Sequence, residues 1–158
     1  MDELATNESG SVERGMGYTV PVLAERIREF AAGWQIRAEG VADDAIFNRD
    51  GREDGAIAGE FRAHGVTFTK AAKGLRAPDW ERMRLLLLLL QAGQPDKPGL
   101  YVSRACAYWW ETVPSLARDP RKPDDVDSRG PDHGADACRY ACTYERPTIR
   151  TGRTVGLY

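Results

Sequence analysis

The stretch GVADD, residues 40–44, determines the fold class that the sequence predicts. Its small and apolar residues run straight into two acids, as at the end of a buried parallel strand. The stretch VTFT, residues 66–69, has the β-branched and aromatic content of a second strand, and residues 56–63 predict a short helix between the two. Because a helix between two strands forms a parallel crossover, we expect an α/β domain.

Helices are predicted on both sides of this unit. Residues 21–33 carry apolar side chains at helical spacing, with Gly33 as the stop. Pro78 begins a leucine-rich helix that ends near Gly93, and its run of leucines, residues 85–90, is far shorter than the roughly 20 residues that cross a bilayer. We therefore expect a buried helix and no membrane partner. The remaining elements are a candidate strand at residues 100–102 and a helix over residues 105–113, up to Pro114.

The stretch DDVDSRGPDHGADACRY, residues 124–140, is dense in carboxylates and predicts a last helix with Asp132 as its N-cap. His133, Asp136 and Tyr140 follow at spacings of three and four residues, so they share one face of that helix. The opposite face is small and apolar and is expected to pack in the core; it consists of Ala135, Cys138 and Cys142.

Length and composition limit the class of protein. A chain of 158 residues suits one domain, and a net charge of −2 means that any nucleic-acid contact must come from local basic patches. Three irregularly spaced cysteines and an N-terminus without a leader pattern favour the cytoplasm. Residues 1–17 have the composition of a disordered or weakly ordered tail, and residues 147–158 are expected to form a C-terminal tail.

Asp43 and Asp136 are the candidate catalytic pair, one at a strand end and one on a helix face. Carboxylate oxygens are the ligands that Mg²⁺ and Mn²⁺ prefer, and such ions support phosphodiester displacement. The alternative is that both are ordinary solvated acids or caps. His133 could likewise be an exposed residue at a helix start.

Two basic clusters could contact DNA phosphates, although such clusters are often simply solvated. They consist of Lys70, Lys73 and Arg76, and of Arg121 and Lys122 with the neighbouring Arg118. The chain contains neither a phosphate-binding GxxxxGK[ST] loop nor a GxGxxG fingerprint, so nucleotide hydrolysis within it is not expected.

Five segments, in this order, resemble the C-terminal nuclease domain of bacteriophage large terminase subunits. The segments are ADDAIF (42–47), FRAHGV (61–66), KAAKGLRAPDWERMR (70–84), PGLYV (98–102) and PSLARDPRKPDDVDSRGPDHGADACRYA (114–141). The resemblance covers most of the chain from about residue 21 to residue 144. Its most specific part is the H-x-x-D-A-x-R-Y ending.

This resemblance implies a ribonuclease H-like fold that uses Mg²⁺ or Mn²⁺, in a two-metal site, to cut concatemeric viral DNA during genome packaging. Asp43 resembles the second acid of the family and Asp136 the last, with His133 beside it; Asp44 stands where the family often has proline. The first antiparallel strands, with their acid, and the ATPase motor are not in this chain. Residues 18–146 thus resemble mostly the second half of the domain, with its parallel strands and crossover helices.

The implied partners are double-stranded DNA, the ATPase part of a terminase, the small terminase subunit and the portal, in the cytoplasm of a bacterial host. Two functions follow as hypotheses. The chain is a metal-dependent endonuclease, or it is a non-catalytic remnant that binds DNA or a packaging partner.

Overall fold

The protein is described from a computed structural model, which covers residues 3–6, 8, 11, 14–48, 56–72, 76–91 and 99–144. Within these ranges the chain forms helices α1 (Val20–Gly33), α2 (Ile57–Ala63), α3 (Arg76–Gln91), α4 (Ala107–Thr112) and α5 (His133–Thr143). It also forms strands β1 (Glu39–Ala42) and β2 (Thr67–Lys70) and two short 3₁₀ helices, Asp44–Phe47 and Val113–Ser115. The chain is therefore an α/β protein, as predicted.

The two strands pair in parallel, with Glu39 opposite Thr67 and Ala42 opposite Lys70. Helix α2 connects them and packs on the sheet through an edge-to-face contact between Phe61 and Phe68, whose ring centroids are 5.1 Å apart. This confirms the predicted parallel crossover. The expectation that β1 is buried was wrong, because its residues are half-buried or exposed. Each strand has a single neighbour within the described part of the chain, so neither is enclosed as a central strand would be.

Helix α1 ends at the predicted residue, but Gly33 is not the residue that terminates it. Gly33 is still helical, and the left-handed residue is Gln35, with a φ of 55°. The backbone N–H of Gln35 donates to the Ala32 carbonyl and that of Ile36 donates to the Ala31 carbonyl, each at 3.0 Å. These are the bonds of a Schellman ending, in which glycine normally occupies the left-handed position.

A first core cluster lies between α1, α2 and the sheet, where Ala24, Phe61 and Val66 are buried. A second cluster joins α3, α4 and α5 through Met83, Trp109 and Cys138, together with the buried Cys106. Cys138 and Ala135 are confirmed as packing residues, and Cys142 packs against the same cluster.

Two predictions about apolar residues in this half of the chain were wrong. The leucine run is not wholly buried, because Leu85 and Leu88 are 49% and 37% exposed. Residues 100–102 form no strand: the backbone N–H of Leu100 bonds to the Leu86 carbonyl of α3, so this segment lies along a helix. In addition, Trp110 is 48% exposed, in contrast to the buried Trp109, and its indole N–H donates to the Ser103 carbonyl.

The N-terminal segment, expected to be weakly ordered, makes one contact with the second core. The Glu3 carboxylate accepts hydrogen bonds from the backbone N–H groups of Tyr108, at 2.8 Å, and Trp109, at 3.1 Å. These are donors in the first turn of α4, which a carboxylate satisfies well. The predicted C-terminal tail, residues 147–158, lies outside the described residues.

Candidate active site

Asp43 directly follows β1 and faces α5. One carboxylate oxygen, Oδ1, accepts from the backbone N–H of Ala45 at 2.8 Å and so caps the 3₁₀ helix that begins at Asp44. The other oxygen, Oδ2, accepts from the Tyr140 hydroxyl of α5 at 2.6 Å. Asp44 lies instead 3.8 Å from the Lys70 ammonium. Of the two adjacent acids, Asp43 is therefore the one directed to the candidate site.

Helix α5 begins as the sequence predicts, with Asp132 just before its first residue. The Asp132 side chain makes no capping hydrogen bond, however, and is buried with an oxygen 3.7 Å from Arg76. Gly134 lets the first turn of α5 approach α4, since a Cβ at this position would lie 3.1 Å from the Tyr108 ring. This close packing sets the direction in which α5 crosses toward β1.

Asp136, on the next turn of α5, is held by two arginines. Its Oδ1 lies 3.0 Å from Nη2 and 3.1 Å from Nε of Arg139, and 3.5 Å from Nη2 of Arg76. The carboxylate is thus neutralised from within the protein. The pairing with Arg139 joins residues three apart on one helix, whereas Arg76 arrives from the start of α3.

Arg139 is the most enclosed charged residue of the cluster, with a side chain only 5% exposed. It donates to Asp79 of α3 at 2.9 Å, and its guanidinium carbon lies 5.1 Å from the Trp80 ring centroid and 4.5 Å from that of Tyr140. Burial alone would lower the pKa of Arg139, but the charge and hydrogen bond of Asp136, with further contributions from Tyr140 and Asp79, outweigh it and raise the pKa. Arg139 therefore stays charged and ties α5 to α3.

Arg76 is bound less tightly. Its Nε lies 3.3 Å from Asp125 and its Nη2 lies 3.7 Å from Asp132 and 3.5 Å from Asp136, while its Nη1 donates to the Ser128 hydroxyl at 3.0 Å. The buried Nε forms no hydrogen bond of good geometry within the part of the chain that the structure describes. Its side chain is 31% exposed.

Carboxylates outnumber guanidiniums among the described residues of the cluster. Four carboxylates, those of Asp79, Asp125, Asp132 and Asp136, contact the two guanidiniums of Arg76 and Arg139. The charge of Lys122 also acts on Asp125.

The charges of both predicted acids act on Tyr140. Its pKa is raised to about 12, first by burial, then by its hydrogen bond to Asp43, and further by the charges of Asp136 and Asp43. Both carboxylates, far apart in sequence, therefore act on one phenol. That Asp43 and Asp136 together form one site stays a prediction.

The other predicted residues lie farther out. The His133 side chain is 86% exposed, with Nδ1 3.9 Å from Asp132. Arg121 and Lys122 are exposed on a turn where both backbone N–H groups donate to Asp119, and Lys70 is exposed at the end of β2. Lys73 lies outside the described residues. Arg76 lies inside the carboxylate cluster.

No group of three or more metal-binding side chains occurs among the described residues, so Asp43 and Asp136 would supply two ligands at most. Mg²⁺ commonly binds through one or two carboxylates and completes its octahedron with water and substrate phosphates. Cys138 is a poor ligand here, because the hydrogen bond to Cys142 and burial raise the pKa of its thiol far above its usual range.

A groove of about 520 Å³ lies beside the cluster. It is lined by Trp80 and Asp125 together with Pro78, Pro123 and Arg118, and neither Asp43 nor Asp136 lines it. The indole N–H of Trp80 donates to Asp125 at 2.9 Å, so the wall of the groove is tied to the carboxylates.

Sequence reasoning missed Asp79, Trp80 and Arg139. Arg139 had a weak signal, since it follows the opposite charge of Asp136 by three residues on a helix. That spacing identifies a pair within α5, but it contains no information about the pairing between α3 and α5.

Comparisons with protein-family models, with curated proteins and with solved structures gave no match to this chain. In the described part of the chain, the helices are too short or too polar to cross a membrane.

Proposed function

We propose that this chain is part of a terminase-type, ribonuclease H-like nuclease domain, in which Asp43 and Asp136 hold a Mg²⁺ or Mn²⁺ ion for DNA cleavage. The observation that supports the proposal is the 2.6 Å hydrogen bond from the Tyr140 hydroxyl to Asp43, on a helix where the charge of Asp136 also raises the pKa of Tyr140. An acid at the carboxyl end of a parallel strand lies where open α/β sheets collect their active groups.

The fold supports the proposal through its parallel β1–α2–β2 unit, to which α5 is joined at Asp43. These are the elements that the second half of such a nuclease domain would contribute. The ion would supply Lewis-acid stabilisation of charge on phosphate oxygens. The described carboxylates suit one ion, and a second would need ligands beyond them, such as the first acid of the family.

The chain's own residues have distinct tasks in this proposal. Asp43 and Asp136 would hold the ion, and Tyr140 orients Asp43 by donating to Oδ2. Arg121 and Lys122, presented by the Asp119 turn, contact the phosphates of double-stranded DNA. In a packaging assembly, the ATPase part, the small subunit and the portal would be the protein partners.

A second candidate function is a non-catalytic remnant that binds DNA. The observation that favours it is the neutralisation of Asp136 by Arg139 and Arg76, which a cation must overcome. In this case the basic turn would still bind DNA, with a strong dependence on salt concentration.

Nicking of supercoiled plasmid in the presence of Mn²⁺ separates the two functions. The proteins to compare are the unaltered chain, Asp43→Asn, Asp136→Asn and the matched control Asp127→Asn, an acid that pairs with Arg129 away from Tyr140. We expect the first two variants to lose about 100-fold or more in rate and the control to keep its rate. Equal nicking by all four proteins contradicts the catalytic assignment. Salt-sensitive DNA retention without nicking supports the remnant.

A further inference from the structure

The two arginines that hold Asp136 differ in how firmly they are bound. Arg139 is 5% exposed and makes contacts of 2.9 to 3.1 Å with Asp79 and Asp136. Arg76 is 31% exposed, and its carboxylate contacts range from 3.3 to 3.7 Å. Charged hydrogen bonds are strongest below about 3 Å, so Arg76 is the easier of the two to displace.

Arg76 is also linked to the predicted DNA-binding turn. The turn is the tip of a narrow loop closed by backbone bonds between Asp119 and Asp125 and between Ala117 and Asp127, each 2.9 Å long. The base of the same loop carries Asp125 and Ser128, which contact Arg76. A DNA phosphate bound at the tip of the loop is therefore bound to the same loop whose base contacts Arg76.

We propose that Arg76 is a removable counterion that couples DNA binding to cation binding; this rests on the proposed function. In the DNA-free protein its guanidinium, together with that of Arg139, neutralises Asp136 and opposes the approach of a cation. A DNA phosphate, which arginine binds in a bidentate manner, draws the Arg76 guanidinium away and leaves Arg139 as the remaining counterion of the two.

This arrangement predicts cooperativity that is equal in both directions. If DNA tightens the binding of Mn²⁺ by some factor, Mn²⁺ must tighten the binding of DNA by the same factor. We expect about 10-fold, within the usual range of couplings between two sites. A protein with Arg76 removed should bind Mn²⁺ tightly without DNA and show little further gain when DNA is added.

The test measures free Mn²⁺ by electron paramagnetic resonance during titration of the full chain, with and without a short DNA duplex. The variants are Arg76→Met, which removes the charge, and Arg76→Lys, which keeps it and should bind Mn²⁺ as weakly as the unaltered chain. Arg129→Met is the matched control, since Arg129 is an exposed arginine of the same loop that pairs with Asp127. Thermal melts of every variant report whether the fold is intact.

The expected result is roughly 10-fold tighter Mn²⁺ binding by DNA-free Arg76→Met, with the coupling lost only in that variant. The inference fails if Mn²⁺ binds the unaltered chain through Asp43 but Arg76→Met shows the same affinity and the same response to DNA. Both this inference and the proposed function fail if Mn²⁺ binds none of the proteins, even with the duplex present.

Discussion

Replacement of Arg139 by methionine tests the carboxylate cluster, because this side chain joins α5 to α3. The substitution keeps an unbranched chain between the Trp80 and Tyr140 rings but leaves Asp79 and Asp136 without their closest cation. Breaking a buried pair by removing one partner typically costs about 3–5 kcal/mol.

The lower end of that range applies here. Asp79 and Asp136 are 17% and 26% exposed, so water can partly solvate them once Arg139 is gone, and Arg76 remains 3.5 Å from Asp136. We expect a loss of about 3 kcal/mol in the free energy of unfolding. For a chain of this size that corresponds to a fall of about 6–12 °C in Tm.

Urea denaturation followed by circular dichroism gives the free energy, and a thermal melt gives the Tm. Arg84→Met is the matched control: Arg84 lies on the same helix as Asp79 and pairs with Glu81 at the surface, so its removal should leave stability unchanged. If Arg139→Met is no less stable than this control, Arg139 does not stabilise the protein by pairing with Asp79 and Asp136. That result would contradict the described contacts of Arg139.

Two further predictions concern Tyr140 and the end of α1. The phenol of Tyr140 should ionise near pH 12, and because its pKa is raised above the ordinary value of 10, its contribution to stability is present below pH 10 and is lost as the pH rises toward 12. Asp43→Asn should lower that pKa, as measured by ultraviolet difference titration against Tyr140→Phe; an unchanged titration in the variant would contradict the 2.6 Å bond. Gln35→Gly should stabilise the protein by about 0.5–1 kcal/mol, since φ is 55° at this residue and glycine adopts that conformation without strain. Gln35→Ala is its control in the same urea assay, and a destabilising Gln35→Gly would mean that the left-handed ending is not formed.

The parts of the fold that were predicted correctly are those whose conformation is determined by residues near one another in sequence. The strands at residues 39–42 and 67–70 carry β-branched and small residues, and the helix between them has apolar spacing of its own. Each of these inferences uses residues near one another in sequence. A shared site for Asp43 and Asp136, which are far apart in sequence, stays a prediction.

The errors have a common physical origin in tertiary packing. Residues 100–102 have the composition of a strand, but the available partner for Leu100 is a carbonyl of α3, and no neighbouring strand lies there within the described residues. Arg139 and Asp79 are 60 residues apart, and their pairing depends on how α3 and α5 pack. Trp110 and Leu85 show that apolar identity does not by itself determine burial.

Anomalous diffraction from crystals grown with Mn²⁺ and a short DNA duplex tests the central claim most directly. We predict one peak within roughly 2.1 Å of carboxylate oxygens of both Asp43 and Asp136, with Arg76 moved away from Asp136. A peak bound to other residues, or no peak while Arg76 and Arg139 still hold Asp136, would contradict the claim that these two acids form a cation site.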